Sequence, residues 1–266
     1  MPHQRVGDVD LFYHLADYCE PWAHDCTPLV FIHGLGCDHR AWLYQVPAFC
    51  GRFPVISIDL RNHGASTKVY ADFEVADMAR DVARLLRALG VEAAHIVGLS
   101  LGGMIALRLA IDHPVVVSCL VLADTLAGAP TGLEHVGRDA LAFIENNAMA
   151  DVARVRITNA FSPHVEPAVR SYFIDQVAQN DKAAYVRAAR AGFRFDVRDR
   201  LSDVKKRTLV VVGAEDVVTP PLLSEELASG ISGAKLAKIP GAGHISNVEK
   251  PDAFNAAVLE FLGARG

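Results

Sequence analysis

The sequence has little of what marks membrane, secreted or nucleic-acid-binding proteins. None of its apolar runs approaches the roughly 20 residues that a helix needs to span a bilayer. The net charge is −5 over 266 residues, and no long run of Lys or Arg appears. Binding to nucleic acid or to a membrane surface therefore has little electrostatic support. The opening stretch, MPHQRVGDVD, lacks the apolar core of a signal peptide, and the chain contains no internal repeat or low-complexity segment.

Cysteine is scarce and follows no pattern. The cysteines are odd in number and contain no CxxC spacing; they are Cys19, Cys26, Cys37, Cys50 and Cys119. Such usage indicates neither a disulfide framework nor a thiolate metal site. We therefore expect a reduced protein of the cytoplasm.

Apolar residues are abundant, at 51% of the chain, which is enough for a large buried core. Short apolar runs typical of buried strands alternate with helical patterns. Continuous apolar strands are typical of a parallel sheet that helices cover on both faces, so the alternation predicts an α/β fold. The predicted strands are residues 4–6, 11–16, 28–33, 54–60, 94–100, 117–124, 207–213 and 235–239, of which the first two form an antiparallel start.

One region breaks this alternation. Between residues 125 and 203 there is no strand pattern, and helical patterns cover residues 138–147, 151–160, 167–179 and 181–192. An all-helical insertion after the sixth strand predicts a cap over the C-terminal edge of the sheet, where α/β proteins bind ligands. The predicted domains are a core, residues 1–124 and 204–266, and a cap, residues 125–203.

A G-x-S-x-G motif, Gly98-Leu99-Ser100-Leu101-Gly102, separates a predicted strand from a predicted helix. Such a turn is tight, so its flanking positions must lack a Cβ, and it projects the Ser100 hydroxyl towards the cleft. It also leaves the Leu101 N–H at a helix N-terminus, directed at developing negative charge. The alternative interpretation is a serine in an ordinary glycine turn. We predict that Ser100 is a nucleophile.

A serine nucleophile needs a base, and the base needs an orienting acid. His244 lies in the loop after the last predicted strand, and Asp216 follows strand 207–213 directly. The order Ser100, Asp216, His244 is a known chain order of hydrolase triads. Asp124 is the rival acid, and Glu215 is a weaker one. The structural alternatives are that Asp216 caps the next helix and that His244 closes a glycine loop.

The segment FIHGLG ends a predicted strand and begins a loop. The N–H of Leu35 is predicted to be the second oxyanion donor, beside that of Leu101. His33 is expected to brace the loop through hydrogen bonds, and Cys37 to be a small buried filler.

Together, HGLG, DLRNHGAS, GLSLGG, GAEDVVTP and GAGH resemble the α/β-hydrolase superfamily along nearly the whole chain. Family members usually have glycine where Asn62 stands, and Asp59 and Arg61 resemble turn-stabilising residues. GLSLGG with a helical cap is similar to 3-oxoadipate enol-lactonases and neighbouring carboxylesterases. Carbon–carbon bond hydrolases tend to have asparagine in the place of Leu99. Dehalogenases and epoxide hydrolases have aspartate in the place of Ser100, which argues against them.

The resemblance implies a cofactor-free serine hydrolase, without metal, that cleaves a small ester or lactone through an acyl-enzyme. Three alternatives stay open. The same fold performs hydrolysis of a carbon–carbon bond in ring-cleavage products, acts as a small-molecule receptor with residual hydrolysis, or catalyses cofactor-independent oxygenation or perhydrolysis. Neither the substrate nor the oligomeric state can be predicted from these residues.

Arginines of the predicted cap suggest a binding role. Arg187, Arg190 and Arg194 fall at i, i+3 and i+7 of one predicted helix and share a face. If that face looks into the cleft, a guanidinium can bind the carboxylate of an anionic lactone or ester. The alternative is a solvated face.

Overall fold

An eight-stranded sheet organises the computed structural model, which describes residues 2–20, 22, 27–129, 132 and 134–263. The strand order is β1-β2-β4-β3-β5-β6-β7-β8. Among the described strand pairs of the sheet, β1–β2 and β2–β4 are antiparallel and the others are parallel. The strands are β1 (His3–Val6), β2 (Val9–Ala16), β3 (Leu29–Ile32), β4 (Val55–Ile58), β5 (Ala94–Leu99), β6 (Val117–Ala123), β7 (Arg207–Gly213) and β8 (Lys235–Ile239). The predicted α/β fold with a mostly parallel sheet is confirmed.

Helices flank the sheet and fill the segment between β6 and β7. They are α1 (Gln45–Phe49), α2 (Val75–Ala88), α3 (Leu101–Asp112), α4 (Glu134–Asn146), α5 (Met149–Ala160), α6 (Pro167–Ala178), α7 (Lys182–Phe193), α8 (Pro221–Gly230), α9 (Ser246–Glu249) and α10 (Pro251–Gly263). In the part of the chain that the structure describes, no helix is both long and apolar enough to cross a membrane. Cys37, Cys50 and Cys119 are free thiols, and Cys26 lies outside the described residues.

Strand β3 shows why its residues form a buried strand. All of its side chains are buried, and they alternate between two cores. Val30 and Ile32 pack on the side of α2 and α3, whereas Leu29 and Phe31 pack on the side of α1 and α10. Side chains of successive strand residues point to opposite faces, so a strand covered on both sides must be apolar throughout.

The helices between β6 and β7 pack in pairs, with α5 against α6 and α4 against α7. Helix α4 begins at Glu134, four residues before the predicted start at 138. Gly137, a weak helix former, lies against Phe193 of α7, so packing outweighs its low propensity there. An antiparallel bridge between Gly128 and Asp196 joins the two ends of the insertion. The predicted limits of core and cap remain a proposal.

The RNHG segment connects the sheet to α7. Asn62 adopts a left-handed conformation, with φ at 68°, where glycine is favoured and asparagine is the best-tolerated alternative. Its side-chain amide donates to Val69 O (2.9 Å) and to Ala184 O of α7 (3.0 Å). The departure from glycine therefore adds a contact that glycine cannot make. Arg61, beside it, is buried and paired with Asp81 (2.5 Å).

Candidate active site

The candidate site lies at one edge of the sheet. Strands β3, β5, β6, β7 and β8 are mutually parallel, so their carboxyl ends meet at this edge. Ser100 follows β5, Asp216 follows β7, and His244 lies in the loop after β8. Leu35 follows β3. Parallel pairing thus brings Ser100 next to His244, which lies 144 positions later in the chain.

The turn at Ser100 is strained. Ser100 has φ 53° and ψ −116°, a conformation that costs a non-glycine residue about 1–3 kcal/mol. The turn is anchored because Ser100 N–H donates to Ala123 O of β6 (2.9 Å). A Cβ on Gly98 would overlap the Gly102 carbonyl group, and one on Gly102 would overlap Ile32 O of β3. Only glycine therefore fits at positions 98 and 102, two residues before and two residues after the serine.

The three predicted residues form one hydrogen-bonded chain. Ser100 Oγ lies 2.9 Å from His244 Nε2, and His244 Nδ1 lies 2.9 Å from Asp216 Oδ2. We assign the tautomer from this network: Nδ1–H donates to Asp216, and Nε2 accepts from the Ser100 hydroxyl. His244 and Asp216 are buried, whereas Ser100 is partly exposed.

Asp216 is held as a carboxylate. Burial acts to raise its pKa, but the nearby imidazole of His244 and four hydrogen bonds outweigh burial and hold the pKa below its usual 3.8. Besides His244, the donors are Val218 N–H (2.8 Å), Thr219 N–H (2.9 Å) and the Thr219 hydroxyl (2.7 Å). Asp216 therefore closes its own turn and also reaches the histidine. It does not cap α8, whose N-cap residue is Pro220.

His244 is poised to accept a proton. Burial acts to lower its pKa, but the negative charge and hydrogen bond of Asp216 prevail, and the pKa lies above the usual 6.5. Its backbone N–H donates to Ala160 O at the end of α5 (2.7 Å), which fixes the loop against the inserted helices. An imidazole with a raised pKa is a stronger base towards a hydroxyl proton.

Asp124, the rival acid, lies next to this chain without joining it. Its Oδ1 accepts from Gly213 N–H (2.8 Å), and its Oδ2 accepts from the Ser246 hydroxyl (2.6 Å). Complete burial and the neighbouring charge of Asp216 raise its pKa to about 7. Asp124 thus ties the end of β7 to the histidine loop. Glu215, the weaker candidate, is exposed.

Two backbone amides are available to a ligand at the serine. Leu35 and Leu101 both line the cavity that contains Ser100. Within the part of the chain that the structure describes, neither of their N–H groups donates a hydrogen bond. His33 braces the Leu35 loop, because its ring nitrogens contact Gly34 O (2.8 Å) and Leu60 N–H (3.1 Å).

The cavity above Ser100 has a volume of about 1300 Å³. Its walls are mainly apolar, with a few polar side chains from the inserted helices, which is typical of small-molecule sites. The apolar lining includes Met104, Leu126, Ile157, Val177, Ala188, Ala189 and Phe193. Cys37 also lines it, but burial raises the pKa of this thiol to about 12, so it is not a nucleophile.

The three arginines of α7 and its C-terminus separate in space. Arg187 donates to Tyr70 O and lies over the Tyr70 ring, and Arg190 pairs with Glu145 (2.7 Å). Neither side chain lines the cavity, so the expectation that these arginines share a face directed at the cleft is wrong for Arg187 and Arg190. Acceptors outside the helix hold both side chains there. Arg194 does line the cavity and is exposed.

Sequence reasoning missed Arg156 and Tyr185, which line the cavity from α5 and α7. A signal for Arg156 was present. Val152 and Ala160, four residues before and after it, are both buried, so Arg156 belongs to the inward face of its helix. A charged residue on an apolar face is a candidate for function.

One group of described residues, Asp38, His39 and Asp59, has potential metal-ligand atoms within 4.8 Å of one another. Its carboxylates already have protein partners. Asp38 pairs with Arg40 (2.6 Å), and Asp59 accepts from His39 Nδ1 (2.8 Å) and Ala65 N–H (2.8 Å). These contacts stabilise the turn after the Leu35 loop and connect it to the turn after β4.

Comparisons with known proteins agree with this architecture. A family model described as the alpha/beta hydrolase fold matches residues 27–251. A 3-oxoadipate enol-lactonase of Acinetobacter baylyi is 31% identical over 85% of this chain and 85% of its own. A protein of Azorhizobium caulinodans that carries the name of a carbamate hydrolase is 29% identical over 99% of this chain and 98% of its own. The crystal structure of the enol-lactonase from Burkholderia xenovorans covers 99% of this chain and 100% of its own, at 28% identity and a TM-score of 0.91. The chain therefore belongs to the α/β-hydrolase fold family.

Proposed function

We propose that this protein is a serine hydrolase that cleaves small esters or lactones through an acyl-enzyme, with Ser100, His244 and Asp216 as its catalytic triad. The observation that carries the proposal is the hydrogen-bonded chain from Ser100 Oγ through His244 to Asp216 at the base of the cavity. Its similarity to enol-lactonases supports the choice of ester and lactone substrates.

In the first half of the reaction, His244 Nε2 takes the hydroxyl proton as Ser100 Oγ attacks the substrate carbonyl. Asp216 stabilises the imidazolium that forms. The N–H groups of Leu35 and Leu101 bind the oxyanion, and each such donor contributes roughly 3–4 kcal/mol to transition-state stabilisation. The intermediate collapses when the imidazolium gives its proton to the leaving alkoxide.

In the second half, a water molecule takes the place of the leaving group. His244 removes its proton as the water oxygen attacks the acyl-enzyme carbonyl, and Ser100 leaves with a proton from the imidazolium. A lactone differs only in that the alkoxide stays attached to the acyl group. This cycle uses no group beyond the chain's own residues, the substrate and water.

Replacement of the serine tests the proposal. Ser100→Ala is expected to abolish covalent labelling by a fluorophosphonate probe and to lower kcat for 4-nitrophenyl butyrate and γ-butyrolactone by roughly 10⁴-fold or more. Ser202→Ala, at an exposed serine far from the motif, is the matched control and retains labelling and turnover. Circular dichroism checks that both variants fold. Labelling that survives in Ser100→Ala would identify another nucleophile and refute the assignment.

A further inference from the structure

Arg156 is an unneutralised positive charge inside the cavity. It is half-buried, and it lines the same cavity as Ser100 and His244. Arg154, two positions earlier on α5, pairs with Asp151 (3.4 Å), and Arg198 pairs with Asp196 (2.6 Å). Among the described residues, by contrast, no carboxylate lies within ion-pair distance of Arg156. A half-buried guanidinium in a mainly apolar cavity can be neutralised by a ligand that carries the opposite charge.

Tyr185 supplies a second unsatisfied donor at the same place. Its side chain is 0% exposed and lines the cavity beside Arg156, and its hydroxyl proton has no acceptor among the described residues. Burial raises the pKa of this phenol, so it stays protonated and can donate. Leaving a buried hydroxyl without an acceptor costs about 1–3 kcal/mol.

The two groups are close together and close to the reacting centre. The positive charge of Arg156 acts against the burial effect on the pKa of Tyr185 and of Cys37. It also acts to lower the pKa of His244. A single guanidinium therefore influences three buried groups of the cavity. Because Ser100, Arg156 and Tyr185 line one cavity, a single ligand can contact Arg156 and Tyr185 and present its carbonyl to Ser100.

Nearby acids do not neutralise Arg156. Asp196 is engaged by Arg198, and Glu225 pairs with Lys238 (2.6 Å). Glu226 is partly exposed on α8. The lining is mainly apolar, and Arg156 therefore provides an attraction for a group of opposite charge.

We propose that Arg156 and Tyr185 form a carboxylate-binding subsite, and that the preferred substrate is an ester or lactone whose acyl chain carries a carboxylate. The planar guanidinium binds two carboxylate oxygens, and the phenol donates a further hydrogen bond. This inference rests on the proposed function, because it names the substrate class of the same site. It replaces the α7 arginines as the expected carboxylate ligand.

A matched pair of substrates tests the subsite: 4-nitrophenyl hydrogen adipate and its methyl ester, with the uncatalysed rates subtracted. In Arg156→Gln, kcat/KM for the acid is expected to fall about 10–100-fold, the loss of one charge-assisted contact, while that for the methyl ester changes less than about threefold. In Tyr185→Phe, kcat/KM for the acid is expected to fall about threefold to tenfold, while that for the methyl ester again changes little. Arg154→Gln, whose side chain is 69% exposed on the same helix, is the control and changes neither value.

Other outcomes overturn the subsite and leave hydrolysis standing. Equal losses for both esters in folded Arg156→Gln and Tyr185→Phe, or no loss for either, would refute it while wild-type turnover of the methyl ester supports the hydrolase proposal. A selective loss in Arg194→Gln instead of Arg156→Gln would move the carboxylate to the cavity edge and refute it equally.

A binding measurement separates this inference from the hydrolase proposal. If the wild-type protein turns over neither ester, the proposed function fails, and calorimetric titration with adipate decides the subsite. Adipate binding that weakens tenfold or more in Arg156→Gln supports it. No binding to the wild type, or equal binding to both proteins, refutes it.

Discussion

Two aspartates follow neighbouring strands at the site, and their environments shift their pKa values in opposite directions. Asp124 comes directly after β6 and Asp216 shortly after β7, and both are buried. The pKa of Asp216 lies below 3.8, whereas burial and the charge of Asp216 raise the pKa of Asp124 to about 7. Residue type and strand position are nearly the same, so the difference comes from the neighbours.

The partners of each carboxyl explain the difference. Asp216 accepts hydrogen bonds from the His244 ring N–H and from the donors of its own turn. The positive charge that His244 can carry also lowers the pKa of Asp216 and so opposes the effect of burial. Asp124 is more completely buried and receives Gly213 N–H and the Ser246 hydroxyl, neither of which is charged. Two adjacent buried carboxyls resist ionising together, so the group with the better partners takes the charge. In the proposed mechanism Asp216 orients the base, and Asp124 joins β7 to the histidine loop.

The largest effect is expected from removing the charge of Asp216. Asp216→Asn should lower kcat for a neutral ester by about 10³–10⁴-fold, because the imidazole loses its orientation and the imidazolium loses its counter-charge. KM should change little, since Asp216 does not contact the substrate. Steady-state kinetics with a thermal melt of each variant measure this. If Asp124→Asn were the more damaging substitution, the two roles would be reversed.

The pH dependence of the reaction sharpens the same contrast. Neutral His244 is the base, and its pKa lies above 6.5, so kcat/KM should fall tenfold per pH unit below that pKa. In Asp216→Asn the residual activity should keep its acid limb but shift it to lower pH, because the charge that raises the histidine pKa is gone. A limb that stays in place would show that another group titrates. Asp124→Asn should move it much less.

The smallest effect is expected from Asp124→Asn itself. Asn keeps an oxygen that accepts from Gly213 N–H, and its amide can donate to the Ser246 hydroxyl, which then turns from donor to acceptor as it does beside the protonated acid. We therefore expect kcat to stay within about threefold. The stability effect is larger at high pH. An acid whose pKa rises from 3.8 in the unfolded chain to about 7 in the folded one stabilises the fold fully below 3.8, and this stabilisation is lost as the pH rises to 7.

Urea unfolding measures that loss. Relative to the wild type, Asp124→Asn should gain about 1–3 kcal/mol in the free energy of unfolding between pH 5 and pH 8. A stability difference that does not change with pH would show that Asp124 is not protonated within this range.

Local features were predictable from the sequence because their physics is local. Apolar runs predicted the central strands β3 to β7, since a strand covered on both faces must be apolar at nearly every position. The glycines around Ser100 predicted a tight turn, in which a Cβ would overlap the backbone. The chain order of Ser100, Asp216 and His244 predicted which side chains would lie together. The start of α4 was misplaced because Gly137 obscured the helical pattern.

The tertiary structure alone decided which partners the charged side chains have. Helical spacing placed Arg187, Arg190 and Arg194 on one face, but Tyr70 and Glu145, from other elements, hold the first two outside the cavity. It likewise decided that Arg156 has no carboxylate partner among the described residues and that Asp124 contacts Ser246 instead of His244. Backbone geometry and strand burial depend on neighbours in the chain. The state of a charge depends on partners that only the folded arrangement brings within a few ångströms.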